Sequence, residues 1–202
     1  MSETITVCIL AHNKGKSIST TLDSLLDQTY PSLKVTVCAN GCTDNTTEII
    51  QSYSVRYANV SLIELDAAGK PNAWNISRQN CNTRFIFFSD GDVYAERNAI
   101  EEMYKILSEG VYCAVCARNV AVLKGRSLIT RLTTTPTWPQ YSLYGRFYGF
   151  DNKRMQKALE LKGFGSMPKG IIADDLWLTL ILDKDWAAVQ KCGSILCTLR
   201  VV

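Results

Sequence analysis

The most informative stretch of the chain runs from Arg84 to Val93 and reads Arg-Phe-Ile-Phe-Phe-Ser-Asp-Gly-Asp-Val. Its apolar run, Phe85 to Phe88, is typical of a strand that is buried on both faces of a sheet. Asp90 and Asp92 follow directly, and because a core does not accommodate unpaired charges, we expect both acids to stand in a cleft beyond the strand. Carboxylate oxygens on a short turn suit Mg²⁺ or Mn²⁺. An ordinary Asp-Gly turn explains the same residues without a metal.

Similar β-rich runs precede this stretch at residues 6–11, 34–39 and 60–65, and each is followed by a polar turn and a helical pattern. The connections are long enough for parallel pairing, so the pattern predicts a doubly wound α/β sheet with helices on its faces. Ligands bind such sheets at the carboxyl ends of the strands. The polar or glycine residues just past the strands are therefore candidate site residues: His12, Asn13, Asn40, Gly69, Lys70, Asp90 and Asp92.

The second half of the chain shows weaker signals. Strands are expected within residues 111–122, 141–150 and 195–202, and a helix is expected through Met155. Two further acids, Asp174 and Asp175, open an apolar helix, where acids also favour the helix dipole without any catalytic role. An aromatic-rich region either stacks a sugar or belongs to the core; it consists of Trp138, Tyr141, Tyr144, Phe147 and Tyr148.

Composition indicates one soluble globular domain of 202 residues, with 47% apolar and 20% charged residues. A net charge of +3 is too small to indicate a nucleic-acid partner. No apolar run approaches the ~18 residues of a transmembrane helix, and the first residues lack the features of a signal peptide. We therefore expect a cytoplasmic protein, with peripheral membrane association left open. Most of the cysteines lie in apolar runs and are expected to be buried thiols, not metal ligands.

The chain resembles the large inverting glycosyltransferase family of GT-A fold called family 2. In this family the first strand ends near Pro-Ala-Tyr-Asn-Glu, and the second strand usually ends with Asp-Asp-Gly-Ser-Thr-Asp. Three further motifs follow along the chain: Gly-Lys-Gly-x-Ala-x-Asn, the metal-binding Asp-x-Asp and Glu-Asp. The segments that are similar to these, in the same order, are Leu10–Lys14, Ala39–Asp44, Gly69–Asn75, Ser89–Asp92 and Ala173–Leu180, and Ser24–Pro31 also matches the family closely.

The resemblance implies a single GT-A domain over residues 1–202, a Rossmann-like and mostly parallel sheet, with a nucleotide-binding half at 1–93 and an acceptor and catalytic half at 94–202. It implies a hexosyltransferase that uses Mn²⁺ or Mg²⁺ on Asp90 and Asp92, with Asp175 as general base and Asp174 beside it. A nucleotide-sugar donor, with UDP favoured, is expected to contact Leu10, His12, Asn13, Asn40, Gly69, Lys70, Asn75 and Asp90. The acceptor is expected to be a hydroxyl group of a saccharide or a lipid-linked saccharide.

The chain departs from the family at several positions. Ala39 and Asn40 stand where the family has two acids, and Lys14 replaces a common Glu. An amide has donor and acceptor groups, so Asn40 can still hydrogen-bond uracil, while Lys14 either contacts phosphate or is solvated. The Gln-x-x-Arg-Trp segment of processive synthases is absent, so a processive synthase is not expected. The alternative function is a nucleotide-sugar-binding module that has lost turnover, and a dimer remains open.

Overall fold

The computed structural model describes residues 2–122, 146–182 and 189–200, and for 118–122 and 189–200 it describes the backbone alone. The strands within these ranges are β1 Ile5–Ala11, β2 Leu33–Asn40, β3 Val60–Leu65, β4 Phe85–Asp90, β5 Ala114–Val122, β6 Phe147–Asp151 and β7 Val189–Arg200. The helices are α1 Ile18–Leu26, α2 Thr46–Arg56, α3 Lys70–Gln79, α4 Ala99–Ser108, α5 Asn152–Leu161 and α6 Asp174–Ile181.

The strands form one sheet in the order β3-β2-β1-β4-β6-β5-β7. The first four strands are parallel, as predicted, and β1 lies between β2 and β4. The chain therefore changes direction across the sheet between β1 and β4, which is where ligands bind doubly wound folds. The later half differs, because β6 pairs antiparallel with both β4 and β5. The predicted α/β sheet, mostly parallel with flanking helices, is confirmed.

The stretch that contains β4 is buried on both faces of the sheet. Phe85 and Phe87 pack into the cluster beneath α1, α2 and α4, whereas Ile86 and Phe88 pack into the cluster beneath α3, α5 and α6. Successive side chains of a strand point to opposite faces, so an unbroken apolar run feeds both clusters. Each of these four side chains is at most 1% exposed, and full burial of such a residue stabilises a fold by about 1.5–3 kcal/mol.

The predictions about the cysteines and the aromatic-rich region can be compared with the structure only where it describes the side chains. Cys8, Cys38 and Cys113 are buried, as predicted, while the side chain of Cys197 lies outside the described residues. Trp138, Tyr141 and Tyr144 also lie outside them. No helix in the parts of the chain that the structure describes is both long enough and apolar enough to span a bilayer.

Candidate donor site at the carboxyl edge of the sheet

A cavity of about 400 Å³ opens at the carboxyl ends of β1, β2 and β4. Its walls come from the turns that follow these strands and from the start of α3. The lining residues are Leu10, His12, Lys14, Asn40, Ala68, Gly69, Lys70 and Asp90. The structure thus gathers six residues that the sequence predicted to contact a donor, from segments up to 80 positions apart: Leu10, His12, Asn40, Gly69, Lys70 and Asp90.

Asn40 joins three of the turns that form this cavity. Its backbone oxygen lies 2.8 Å from His12 Nδ1, and its side-chain oxygen accepts a hydrogen bond of 2.9 Å from the Gly69 N–H. The next residue, Gly41, has a φ of 61° and approaches Ala68 so closely that a Cβ would overlap its backbone. Glycine adopts this left-handed conformation without strain. The Asn-Gly pair therefore lets the turn before α3 close over the end of β2.

Asn13 lies next to the cavity without lining it. Its side-chain oxygen accepts from the Thr43 N–H at 2.8 Å, and its amide nitrogen donates to Thr43 Oγ1 at 3.2 Å. Its φ of 51° places it in the left-handed region, which Asn tolerates better than most residues. The side chain thereby ties the turn after β1 to the turn after β2.

Asp90 and Asp92 stand at the end of β4 and on the turn beyond it, and cations surround them. Lys14 Nζ lies 2.6 Å from Asp92 Oδ2, and Arg146 NH1 lies 3.1 Å from Asp92 Oδ1. Lys70 Nζ lies 3.2 Å from Asp90 Oδ1. Burial raises the pKa of Asp90, and the ammonium of Lys70 opposes that rise only in part.

Lys70 also contacts the first acid of α6, because its Nζ lies 2.9 Å from Asp174 Oδ1. Burial disfavours the charged form of Lys70, yet the carboxylates of Asp90 and Asp174 outweigh that effect and raise its pKa. The ammonium of Lys70 is therefore the charge that connects the end of β4 with the start of α6.

Asp174 is 5% exposed and belongs to a buried chain of hydrogen bonds. The Tyr148 hydroxyl lies 3.2 Å from Asp174 Oδ2, and Trp74 Nε1 donates to the same hydroxyl at 3.1 Å. Burial, together with the negative charge of Asp174, raises the pKa of Tyr148 well above its usual value, so the hydroxyl stays protonated and donates a hydrogen bond to the carboxylate. Tyr148 was predicted as part of an aromatic-rich region, and in the structure its hydroxyl links Trp74 to Asp174.

Asp175 occupies a different environment from Asp174. It is half-buried, and its carboxylate accepts a 2.8 Å hydrogen bond from the backbone N–H of Leu176. It makes none of the ion pairs found among the described residues, whereas Asp174 joins the pairs around the cavity. The two adjacent acids are therefore not equivalent.

Asn75 was predicted to contact the donor, but the structure directs its amide elsewhere. The Asn75 nitrogen donates to the Met167 carbonyl at 2.8 Å, and the Asn75 oxygen accepts from the Met167 N–H at 2.9 Å. Both ends of the amide are thus taken up by the backbone N–H and C=O of a single residue, Met167, in the loop that precedes α6. In this structure Asn75 positions that loop against α3 and does not line the cavity.

Asp90 and Asp92 are suitable ligands for a hard divalent cation, because such cations prefer oxygen ligands and both residues offer carboxylate oxygens on a short turn. Within the described residues no cluster of three or more His, Cys, Asp or Glu side chains is arranged to hold a metal. Mg²⁺ commonly binds through one or two carboxylates together with water and substrate phosphate oxygens, so two acids are a sufficient protein contribution.

The sequence did not indicate two residues of the site: Ala68, which lines the cavity, and Arg146, which pairs with Asp92. Arg146 precedes β6, and its carbonyl accepts from the Asp90 N–H at 2.9 Å. The register places the neighbouring Phe147 opposite Ser89. An arginine within the strand expected at 141–150 gave no indication that this strand returns antiparallel beside β4.

The chain is similar in sequence to known glycosyltransferases. The family model described as glycosyl transferase family 2 matches residues 6–172. The glycosyltransferase GlyA of Streptococcus pneumoniae serotype 4 is 29% identical over 109 residues, which is 54% of this chain and 16% of GlyA.

Two solved structures share the fold. TarS 1-349 of S. aureus in complex with UDP-GlcNAc superposes with a TM-score of 0.73 at 16% identity, covering 98% of this chain and 59% of that one. The mannosyltransferase PcManGT of Pyrobaculum calidifontis in complex with GDP-Man and Mn²⁺ superposes with a TM-score of 0.76 at 20% identity, covering 98% of this chain and 57% of that one. This chain therefore spans less than two thirds of the length of each of these three proteins. Since the family model covers well over half of its residues, the chain belongs to glycosyl transferase family 2.

Proposed function

We propose that this chain is an inverting, metal-dependent glycosyltransferase that moves a sugar from a nucleotide-diphosphate sugar to a hydroxyl group of a saccharide or lipid-linked saccharide. The observation that carries the proposal is the cavity of about 400 Å³ at the switch point of the sheet, which has Asp90 and Lys70 in its wall. The lining residues all belong to residues 1–93, to which we assign donor binding. Residues 94–202 are assigned to the acceptor and to catalysis.

The base of the donor is proposed to meet Asn40. The Gly69 N–H fixes the orientation of the Asn40 amide, because its side-chain oxygen is the acceptor of that hydrogen bond. The NH₂ group is then the end of the amide that a base meets, and it donates. Uracil offers carbonyl oxygens to such a donor, so we favour a UDP-sugar. A carboxylate at this position would only accept.

The diphosphate is proposed to lie beside Lys70 and Lys14, both of which line the cavity. Asp90 and Asp92 would hold the divalent cation, which when bound neutralises charge on the departing diphosphate as a Lewis acid. The chain's own lysines add fixed positive charge at the same place. Arg146, which pairs with Asp92, extends that positive charge to the other side of the acidic turn.

Asp175 is proposed as the general base that takes the proton from the acceptor hydroxyl. It is the second residue of α6 and follows Asp174, which the Lys70 ammonium and the Tyr148 hydroxyl hold in place. Attack from the face opposite the departing diphosphate inverts the anomeric centre. In this arrangement Asp174 is a positioning residue, because its carboxylate is already taken up by protein contacts.

Turnover of UDP-GlcNAc and GDP-Man with Mn²⁺ tests this proposal, measured as release of UDP or GDP with and without simple sugar acceptors. Asp175→Asn is expected to lower turnover by about 10²–10⁴-fold while nucleotide binding is retained, since a general base contributes that much. Asp27→Asn is the matched control, because Asp27 is 61% exposed and pairs with Arg97 far from the cavity. Equal turnover in Asp175→Asn and the control would refute the role of Asp175.

The alternative is a module that binds nucleotide-sugars without turnover, and it is favoured by the buried Ala39 and Asn40, where the family has acids. The same assay separates the two functions. Saturable UDP-sugar binding without nucleotide release, under every acceptor and metal condition, would support the binding module. Release that depends on Asp175 supports the enzyme.

A further inference from the structure

The two acids proposed to hold the metal already have cationic partners from the protein itself. Both oxygens of Asp92 are paired, Oδ2 with Lys14 at 2.6 Å and Oδ1 with Arg146 at 3.1 Å. Asp90 is paired with Lys70 at 3.2 Å. A divalent cation needs the same oxygens as these side chains. Metal and protein cations therefore compete for the acidic turn.

Lys14 is held in this competing position by its surroundings. Its backbone N–H donates to Thr46 Oγ1 at 2.7 Å, and its carbonyl accepts from the N–H groups that begin α1. Its side chain passes beneath Gly91, where a Cβ would come within 3.0 Å of Lys14 Cγ. The glycine between the two acids thus leaves room for the stem of Lys14. The same lysine lines the cavity, and its ammonium pairs with Asp92, so Lys14 contacts both the cavity and the acidic turn.

The charges of the site balance without a metal. The carboxylates of Asp90, Asp92 and Asp174 meet the cations of Lys14, Lys70 and Arg146, three against three. Adding a divalent cation alone leaves this partly enclosed group with two excess positive charges, which is unfavourable at these separations. A diphosphate brings the negative charge that restores the balance, and its oxygens are strong acceptors for lysine and arginine.

We propose that Lys14 and Arg146 make metal binding dependent on the donor: they occupy the oxygens of Asp92 in the free protein and move to the diphosphate when a nucleotide arrives. This inference rests on the proposed function, because it takes the nucleotide diphosphate as the ligand of the cavity. It predicts weak Mn²⁺ binding to the free protein and tighter binding with nucleotide. By reciprocity, Mn²⁺ tightens nucleotide binding by the same factor.

The test is a titration of Mn²⁺ into the purified chain, with and without UDP, followed by calorimetry and by the paramagnetic resonance signal of unbound Mn²⁺. In Lys14→Met the competing ammonium is lost, and we expect Mn²⁺ to bind the nucleotide-free protein about tenfold more tightly, or about 1.4 kcal/mol. The gain from added UDP should shrink by a similar factor. Arg146→Met is a second variant, at a side chain that is 44% exposed, and it should change the same two quantities in the same direction.

Lys16→Met is the matched control, because Lys16 is exposed and makes none of the ion pairs found among the described residues. Its Mn²⁺ affinity should equal that of the wild type. If Mn²⁺ binds the wild type with UDP but Lys14→Met and Arg146→Met leave the nucleotide-free affinity unchanged, the inference is wrong and the proposed function stands. If Mn²⁺ binds neither the wild type nor the variants under any condition, both the inference and the metal dependence are wrong.

Discussion

Replacing Tyr148 with phenylalanine tests the buried hydrogen-bond chain that positions Asp174. The substitution keeps the ring, which is 3% exposed and stacks at a centroid distance of 5.8 Å on Phe88. It removes only the hydroxyl, which contacts Asp174 at 3.2 Å and Trp74 at 3.1 Å. The expected result is a larger loss of stability than a buried tyrosine hydroxyl usually causes.

The magnitude follows from what the missing hydroxyl leaves behind. A hydrogen bond to a charged group contributes about 1.5–3 kcal/mol, and a buried donor without an acceptor costs about 1–3 kcal/mol. Asp174 keeps its ion pair with Lys70, so losing the hydrogen bond from Tyr148 to Asp174 should cost an amount near the lower limit for a charged group. The Trp74 N–H has no such second partner among the described hydrogen bonds. We therefore expect Tyr148→Phe to lower the free energy of unfolding by about 2–4 kcal/mol.

Tyr30→Phe is the matched control. Tyr30 is 6% exposed, and its hydroxyl donates a hydrogen bond of 2.6 Å to the carbonyl of Glu3 and also contacts the hydroxyl of Tyr104, so both of its partners are neutral. Its loss should cost about 1 kcal/mol, the usual net value of one neutral hydrogen bond. Urea unfolding of the two variants gives the difference directly, provided that the slopes of the transitions match. A cost for Tyr148→Phe no greater than that for Tyr30→Phe would refute the hydrogen-bond chain.

Three further predictions concern the frame around the site. Gly149→Ala places a Cβ onto a buried aromatic ring of β4 and should lower the free energy of unfolding in urea by about 1–3 kcal/mol, as overpacking does. Asn75→Ala removes both hydrogen bonds to Met167, so hydrogen exchange of the Met167 amide should accelerate while exchange in β1 stays unchanged. A hydrogen bond from Thr46 lowers the pKa of Asp44 below 3.8, so its stabilising effect is complete above pH 3.8 and is lost at lower pH. The urea midpoints of the wild type and Asp44→Asn should accordingly differ at neutral pH and converge as the pH falls.

The parts of the fold that could be predicted are those in which neighbouring residues carry the signal. The unbroken run Phe85 to Phe88 indicates burial on both faces, and the two core clusters share it residue by residue. Polar residues just past three parallel strands had to meet, because parallel strands end at one edge. His12, Asn40 and Asp90 do line one cavity for that reason.

The parts that could not be predicted depend on pairings between distant segments. Arg146 reaches the acidic turn only because β6 runs antiparallel to β4, and a short apolar strand does not reveal its direction. Asn75 fits a family pattern for donor contact, yet in this structure the backbone N–H and C=O of Met167 take up its amide. Ser17 directly precedes α1, where serine commonly caps a helix, but its hydroxyl donates to the Gly91 carbonyl and forms no cap hydrogen bond.

Lys70 links the two halves of the chain, and that position limits what each acid does when a donor is present. Its ammonium lies 3.2 Å from Asp90 and 2.9 Å from Asp174, which come from different halves. If the diphosphate of the proposed donor draws Lys70 toward the cavity, Asp174 loses its counter-ion while it remains buried. An unpaired buried carboxylate is costly, so the remaining hydrogen bond from Tyr148 must then hold it. The hydroxyl of Tyr148 is therefore expected to matter most when a donor is bound, because it then holds Asp174 beside Asp175, the proposed base.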